Sequence, residues 1–338
     1  MRSTVLKTGD EWTLLFEIET LRGLEEFAAS ELKQTIGIKM ARNRVDYRGR
    51  LAPLLSLRTA VAVHRYERFE GSRPTVILGD QRLREMLKFV TSADKFTGFR
   101  ISSPGKDSAA LRRVRDSVAA STGLPEHPEG DLLVRIRRDH TGWEVLVRVT
   151  ARSLSTRPWR VADMPGALHA TMAAVMVDLT APRRTDRILN LCCGSGTLLA
   201  ETRHGKHLIG VDNADPALQA ARANLAAANR TRKDTVPTSL LRADAGKLPL
   251  TAQSIDVLLS DLPYGHTIGN HQDNRSLYPA ILSEAARLAS PGARFAACTQ
   301  DMRLFEASIT SDWHLEKQLR VHQRRAIPAI YLLRRTLT

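Results

Sequence analysis

The chain has 338 residues, 43% of them hydrophobic and 25% charged, which is the composition of a globular protein long enough for two or three domains. Its formal charge of +14 exceeds what solubility requires and points to a polyanionic partner. A membrane is the weaker candidate: the most apolar stretch, 167–181, is broken by His169 and Asp178 and is too short to span. Residues Met1 to Lys7 carry no apolar core of signal-peptide length, so the expected location is cytoplasmic. Cys192, Cys193 and Cys298 show no CxxC or Cys/His ligand spacing, and the ten histidines form no HxxxH or HExxH. Neither a disulfide framework nor a metal site is expected.

Taken in order, Trp12 to Ile18 alternates as a strand, and Arg22 to Gln34 spaces Leu24, Phe27, Ala28 and Leu32 as one helix face. Helical pieces follow at 51–60 and 80–90, separated by a strand at 61–69. Gly98 to Pro104 reads as a strand running into a turn, and Ser108 to Ser121 as a helix bearing Arg112, Arg113 and Arg115. Two strands, Leu132 to Arg138 and Trp143 to Val149, are joined by the hairpin loop Asp139-His140-Thr141-Gly142. Between Phe99 and Arg160 twelve Lys or Arg face seven acids. A solvated face explains that excess as readily as RNA does.

The helix Leu21 to Leu32 and the strand-helix-strand-strand from Phe99 to Val149 together resemble a THUMP domain, the RNA-binding module of several RNA-modifying enzymes. The resemblance implies a platform for the acceptor end of a tRNA or a comparable RNA helix end. It makes Arg112, Arg113, Arg135, Arg137 and Arg138 candidate RNA contacts, together with Arg157 and Arg160 in the following link. The expected division is 1–95 for an α/β subdomain, 96–155 for the THUMP-like part, 156–180 for a linker and leading helix (Pro165 to Leu179), and 181–338 for a catalytic domain.

The second half carries a constellation at strand ends. Arg187 to Cys193 is a buried-strand run that opens into Gly194-Ser195-Gly196-Thr197, a glycine turn starting a helix. A dinucleotide fingerprint would require glycine where Leu199 stands, which disfavours NAD. The next strand, His207 to Asp212, ends on an acid able to hold both hydroxyls of a ribose. Thr238 to Arg242 leads to Asp244, placed to accept from an adenine amino group. Ile255 to Leu259 leads through Ser260 to Asp261-Leu262-Pro263-Tyr264-Gly265, a carboxylate, a proline and an aromatic in one turn. Alone, that turn is equally an ordinary β-turn. Four successive strand ends bearing ligand-capable groups are more specific, and an adenosine with an amino-acid tail, S-adenosylmethionine, satisfies all four.

At this point the chain resembles the class I S-adenosylmethionine-dependent methyltransferases, and within them the THUMP-containing guanine-N2 RNA methyltransferases. The fold so implied is α/β: a Rossmann-like domain with a mainly parallel seven-stranded sheet, preceded by an α/β RNA-binding region. The family pattern places Asn190, Cys192, Gly194, Ser195, Gly196 and Thr197 around the methionine part, Asp212 with Asn213 at the ribose, Asp244 with Ala245 at the adenine, and Asp261 between cofactor and substrate. Asp261, Leu262, Pro263 and Tyr264 form the expected catalytic turn: the carboxylate and a nearby carbonyl accept from an exocyclic amine, and the tyrosine stacks on a flipped base. Leu262 stands where adenine-N6 enzymes of this class carry a proline, a tilt toward guanine. No metal is implied. Lys317, Arg320, Arg324, Arg325, Arg334 and Arg335 occur after residue 316 with no acid, and Arg324 and Arg325 are the RNA-contact candidates there. The expected reaction is methyl transfer to guanine N2 of tRNA by a monomer. 23S rRNA, adenine N6, and an inactive RNA-binding protein are the alternatives.

Overall fold

Alternation of Leu14, Phe16 and Ile18 builds the first strand, β1 (Leu14–Glu19), of a computed structural model that describes residues 14–105, 108–232, 234–263, 271–323 and 326–336, with 271–273 by backbone alone. Two units separate by their internal packing: one holds the chain up to Thr20 and Glu25–Ser155, the other Leu21–Leu24 and Thr156 onward.

In the first unit β1 is followed by α1 (Glu25–Ile36), β2 (Arg44–Tyr47), α2 (Ala52–Leu55), β3 (Ala62–Glu70), α3 (Gln81–Ala93), β4 (Phe99–Ser102), α4 (Ala109–Thr122), β5 (Leu132–Arg138) and β6 (Gly142–Arg148). One six-stranded sheet, in the order β2-β1-β3-β6-β5-β4, takes strands from both sides of residue 95. Only the β4–β5 pair is parallel. The helices stop and start where their caps dictate. Asp80 accepts from the Arg82 N–H ahead of α3, Ser108 accepts from Leu111 N–H ahead of α4, and Gly123 closes α4 at φ 70°. The loop 139–142 is the expected hairpin, held by Asp139 Oδ1 accepting from the Thr141 and Gly142 N–H groups at 2.9 and 2.6 Å.

One helix is shorter than expected and one strand was not expected at all. The helix expected over 51–60 shrinks to one turn, because the N–H groups of Arg58 and Thr59 donate to the Glu31 carboxylate at 2.8 and 2.9 Å instead of to helical carbonyls. Strand β2 had no visible pattern, being four residues long and specified by its pairing with β1.

In the second unit come α5 (Ala170–Thr180), β7 (Arg187–Leu191), α6 (Thr197–Glu201), β8 (His207–Asp212), α7 (Asp215–Thr231), β9 (Thr238–Arg242), β10 (Ile255–Asp261), α8 (His271–Leu288), β11 (Ala289–Thr299), α9 (Met302–Ser308), β12 (Trp313–Arg320) and β13 (Ala329–Arg335). Their sheet runs β12-β13-β11-β10-β7-β8-β9, as a seven-stranded α/β arrangement. The five strands from β9 to β11 are parallel, while β13 pairs antiparallel with both β11 and β12. Tyr278, Phe305 and Tyr331 pack together in its core, with ring centroids of successive pairs 6.3 and 4.7 Å apart. Helix α5 begins at Ala170 and not at the expected Pro165, since Pro165-Gly166 turns the chain first.

From β7 the chain winds outward to β8 and β9, then returns to β10 on the other side of β7. That reversal opens a crevice at the carboxyl ends of the strands, where open α/β sheets place their ligands.

Arg157 and Glu201 form a buried pair in this unit, Nε to Oε1 at 2.7 Å, with side chains 9% and 3% exposed. Removing one partner leaves a buried charge uncompensated, which costs about 3–5 kcal/mol. Arg157→Ala is therefore expected to lower the urea midpoint by that equivalent, and replacing both residues by Met recovers most of the loss. Chemical denaturation of the three proteins checks this, and an unchanged Arg157→Ala midpoint refutes it.

Candidate active site

Each of four parallel strands delivers its last residues to one cavity of about 380 Å³ in the second unit. From the end of β7 come Cys192, Gly194, Ser195 and Thr197, from β8 Asp212 and Asn213, from the end of β9 Asp244 and Ala245, and from β10 Asp261, Leu262 and Pro263. Of the residues expected around a cofactor, Asn190 and Gly196 do not line this cavity. Asn190 is fully buried and ties two strands together, its Nδ2 donating to the Leu191 and Leu259 carbonyls at 3.1 Å each. Gly196 lies at φ +77°, and a Cβ there would sit 3.1 Å from that of Ala221 on α7. Tyr264, Gly265, Arg324 and Arg325 fall outside the described residues.

The glycine turn takes its shape from backbone that only a few residues adopt: Cys192, Gly194 and Gly196 all have positive φ, 51°, 52° and 77°. Asp212 locks the result. Its Oδ2 accepts from the Gly194 N–H at 2.9 Å and its Oδ1 from the Ala214 N–H at 3.0 Å. A carboxylate has about four acceptor positions, so these two bonds leave capacity for a pair of ligand hydroxyls. Asp244 is exposed, and its Oδ1 accepts from the Gly246 N–H at 2.8 Å. The Ser195 hydroxyl oxygen is buried with no hydrogen-bond partner among the described residues, a polar group awaiting one.

At the end of β10 the chain is pinned on several sides. The Ser260 hydroxyl donates to the Leu191 carbonyl at 3.0 Å, and the Leu262 N–H donates to the Cys298 carbonyl at 3.0 Å. Leu262 itself is 2% exposed and packs into the core cluster of Tyr278 and Phe305. The Pro263 carbonyl accepts from Asn274 Nδ2 at 3.0 Å and from the Tyr278 hydroxyl at 2.8 Å. Burial pushes the Tyr278 phenol up to about 12, so it stays a donor throughout the neutral range.

Sequence patterning missed two parts of this site. Met164 to Leu168 form a wall of the cavity, where a helix start was expected; the Pro165-Gly166 dipeptide was the available signal. Arg160 holds that wall, donating to the Leu168 carbonyl at 2.8 Å and to Thr197 Oγ1 at 3.1 Å. Asn274 and Leu277 of α8 also line the cavity, and nothing in the local pattern marked them.

The arginines expected to meet RNA differ in exposure. Arg157 and Arg160 are engaged within the second unit, as described. In the first unit Arg137 pairs with Glu17 and Glu144, and Arg135 lies 3.5 Å from Glu19. Arg112, Arg113 and Arg138 are exposed. Among the described residues no cluster of three or more His, Cys, Asp or Glu could hold a metal ion, and no helix is long and apolar enough to cross a membrane.

The family described as RMKL-like, methyltransferase domain matches residues 157–325. A tRNA (guanine(6)-N(2))-methyltransferase of Mus musculus, THUMP3, is 31% identical over 57% of this chain and 41% of its own length. The tRNA (guanine(6)-N2)-methyltransferase of Methanocaldococcus jannaschii is 24% identical over 54% of this chain and 58% of its own. The matched part of this chain thus spans less than two thirds of either relative. Among solved structures, TrmN from Thermus thermophilus superposes with a TM-score of 0.75 over 95% of this chain and 99% of its own, at 22% identity. That likeness establishes the α/β fold along nearly the whole chain.

Cys192 sits among the carboxylates of this cavity. Burial first, then Asp212, Asp261 and Asp244, push its thiol up to about 12. Because the thiolate is the reactive form, alkylation should be slow at pH 8 and accelerate only as pH rises toward that value. Relative to a free thiol of pKa ~8.5 the rate at pH 8 should fall by more than about a hundredfold. Peptide mass spectrometry after iodoacetamide treatment, with and without urea, checks it; labelling of the folded protein at the free-thiol rate would contradict the electrostatics.

Proposed function

We infer, from the premise that this chain belongs to the RMKL-like methyltransferase domain family, that it transfers a methyl group from S-adenosylmethionine to the exocyclic N2 of a guanosine in tRNA. The observation that carries the reading is the convergence of four successive strand ends, with the glycine turn, Asp212, Asp244 and Asp261 to Pro263, on one cavity. The names of the mouse and archaeal relatives supply the base and the RNA class.

The residues present fit this cofactor. Asp212, with acceptor capacity left on both oxygens and Asn213 beside it, suits a ribose diol. Asp244 and Ala245 suit the adenine edge and face, and Cys192 and Gly194 to Thr197, including the unpartnered Ser195 hydroxyl, suit the amino-acid tail. Gly196 and Asn190 support these positions without lining the cavity. When bound, the cofactor supplies an electrophilic methyl on a sulfonium. The chain's own task is to present the nitrogen. A guanine amine has its lone pair delocalised into the ring, so acceptors must draw both N–H bonds out of the ring plane and balance the charge that develops. Asp261, at the last position of β10, is the carboxylate placed to accept from that amine and to take its proton. Proline at 263 stiffens the turn and removes an N–H that would compete there. Tyr264 follows in sequence and is proposed to stack on the extruded base.

RNA is proposed to be held in part by Arg112, Arg113 and Arg138, the expected contacts of the first unit that remain exposed. Arg135 and Arg137 are only half-exposed beside Glu19, Glu17 and Glu144 and contribute less under this reading.

Asp261→Asn keeps the shape of the side chain and removes its charge. Its turnover on unmodified tRNA transcripts is expected to fall about 100- to 1000-fold, while S-adenosylhomocysteine binding by calorimetry persists. Nucleoside mass spectrometry of tRNA and rRNA from cells with and without the gene identifies the product. Loss of N2-methylguanosine from rRNA alone, or wild-type turnover by Asp261→Asn, overturns the assignment.

A further inference from the structure

We infer that Asn274 is a positioning residue for the methyl-transfer step, acting through the backbone carbonyl of Pro263; the inference rests on the methyltransferase reading given above. Asn274 and Tyr278 stand four residues apart on α8, hence on one face, and both point donors at a single acceptor: Asn274 Nδ2 at 3.0 Å and the Tyr278 hydroxyl at 2.8 Å from the Pro263 oxygen. A carbonyl offers two lone pairs, and here both are taken. The Pro263 carbonyl is therefore held toward α8 and cannot accept from a substrate amine. Accepting falls to Asp261 and to a backbone carbonyl other than that of Pro263.

The same two bonds complete the fixing of the turn. Its Leu262 N–H is bound to the Cys298 carbonyl at 3.0 Å and its Leu262 side chain is buried, so β11 and the core hold one end while α8 holds the other. Proline fixes φ at 263, which leaves the orientation of its carbonyl as the free variable that Asn274 and Tyr278 remove. Tyr278 is anchored in turn, its hydroxyl 2.9 Å from Thr299 Oγ1.

A further observation separates Asn274 from a packing residue. It is 1% exposed, and its Oδ1 is buried with no hydrogen-bond partner among the described residues. The other amide atom must be the nitrogen, because only a donor can face the Pro263 oxygen. A buried acceptor without a partner is destabilising, and an apolar side chain at this site would avoid that penalty. Asn274 also lines the cavity, so the link from its Nδ2 to the Pro263 oxygen lies beside the end of β10 that the reading makes catalytic.

Two substitutions test this. Asn274→Ala removes the side chain and its donor, and Asn274→Leu removes the donor while filling the space. For each, kcat on unmodified tRNA transcripts is expected to fall about 10- to 100-fold. KM for the RNA and calorimetric affinity for S-adenosylhomocysteine should stay within about twofold of wild type, the pattern of an interaction that matters at the transition state. Tyr278→Phe, which leaves one donor in place, should lose less turnover than Asn274→Leu. Turnover within twofold of wild type in Asn274→Leu overturns the assignment, as does a loss of S-adenosylhomocysteine affinity in proportion to the loss of kcat. If the wild-type protein itself methylates no RNA, the methyltransferase reading fails and this assignment with it; wild-type turnover beside unimpaired variants removes this assignment alone.

Discussion

The second unit depends on how the chain leaves β7. Within five residues it must turn out of a central, doubly flanked strand, through positive φ at Cys192, Gly194 and Gly196, and enter α6 without opening the core. Space for this comes from a neighbouring strand. A Cβ at Gly210 of β8 would lie 2.6 Å from a δ-methyl of Leu199 of α6 and 2.7 Å from one of Leu240 of β9, so a side chain there would have to displace both leucine ends. The carboxylate of Asp212, two residues further along β8, then bonds the Gly194 N–H and fixes the turn. Strand β8 thus supplies both the gap and the lock, and the same carboxylate that shapes the glycine turn lines the cavity.

Charge is distributed in a way that the total conceals. A net charge of +14 suggests open basic surface, yet several of the arginines that contribute to it are tied to acids within the fold. Arg44 lies 4.0 Å over the ring of Tyr66 and meets Glu144 at 2.5 Å, with Arg137 on the other oxygen of the same carboxylate. Arg294 meets Asp186 at 2.6 Å between side chains 12% and 8% exposed. Such pairs specify geometry more than they attract a distant polyanion, because their fields largely cancel beyond a few ångströms. The arginines that can do both are fewer than a count along the sequence implies.

Legibility followed the same division. Strands β7, β8 and β10 and the ligand-capable residues at their ends could be read because an apolar run ending in Gly or Asp leaves a local signature. Asp212, Asp244 and Asp261 were visible for that reason. Helix α2 was misjudged in length because the group that ends it, Glu31, lies on another helix. Arg157 looked like an RNA contact because sequence shows its charge and not its partner Glu201, 44 residues away. Asn274 gave no sign at all: it looks like an ordinary polar residue of α8 until the Pro263 carbonyl is seen opposite it. Local patterns announce where backbone must turn; they do not announce which distant side chain holds the turn still.

The cavity is the acidic exception in a basic protein. Asp212, Asp244 and Asp261 all line it, and their combined field is strong enough to help raise the Cys192 thiol to about 12. Under the proposed function this polarity sorts the substrate. A phosphate backbone is drawn to the basic surface but repelled from the cavity mouth, while the donor-rich edge of guanine, with its N1–H and N2 amine, is attracted inward. With Asp212 and Asp244 given to the cofactor under that reading, the preference acts at Asp261, where a carboxylate favours the donor edge of an extruded guanine over the phosphate backbone that carries it.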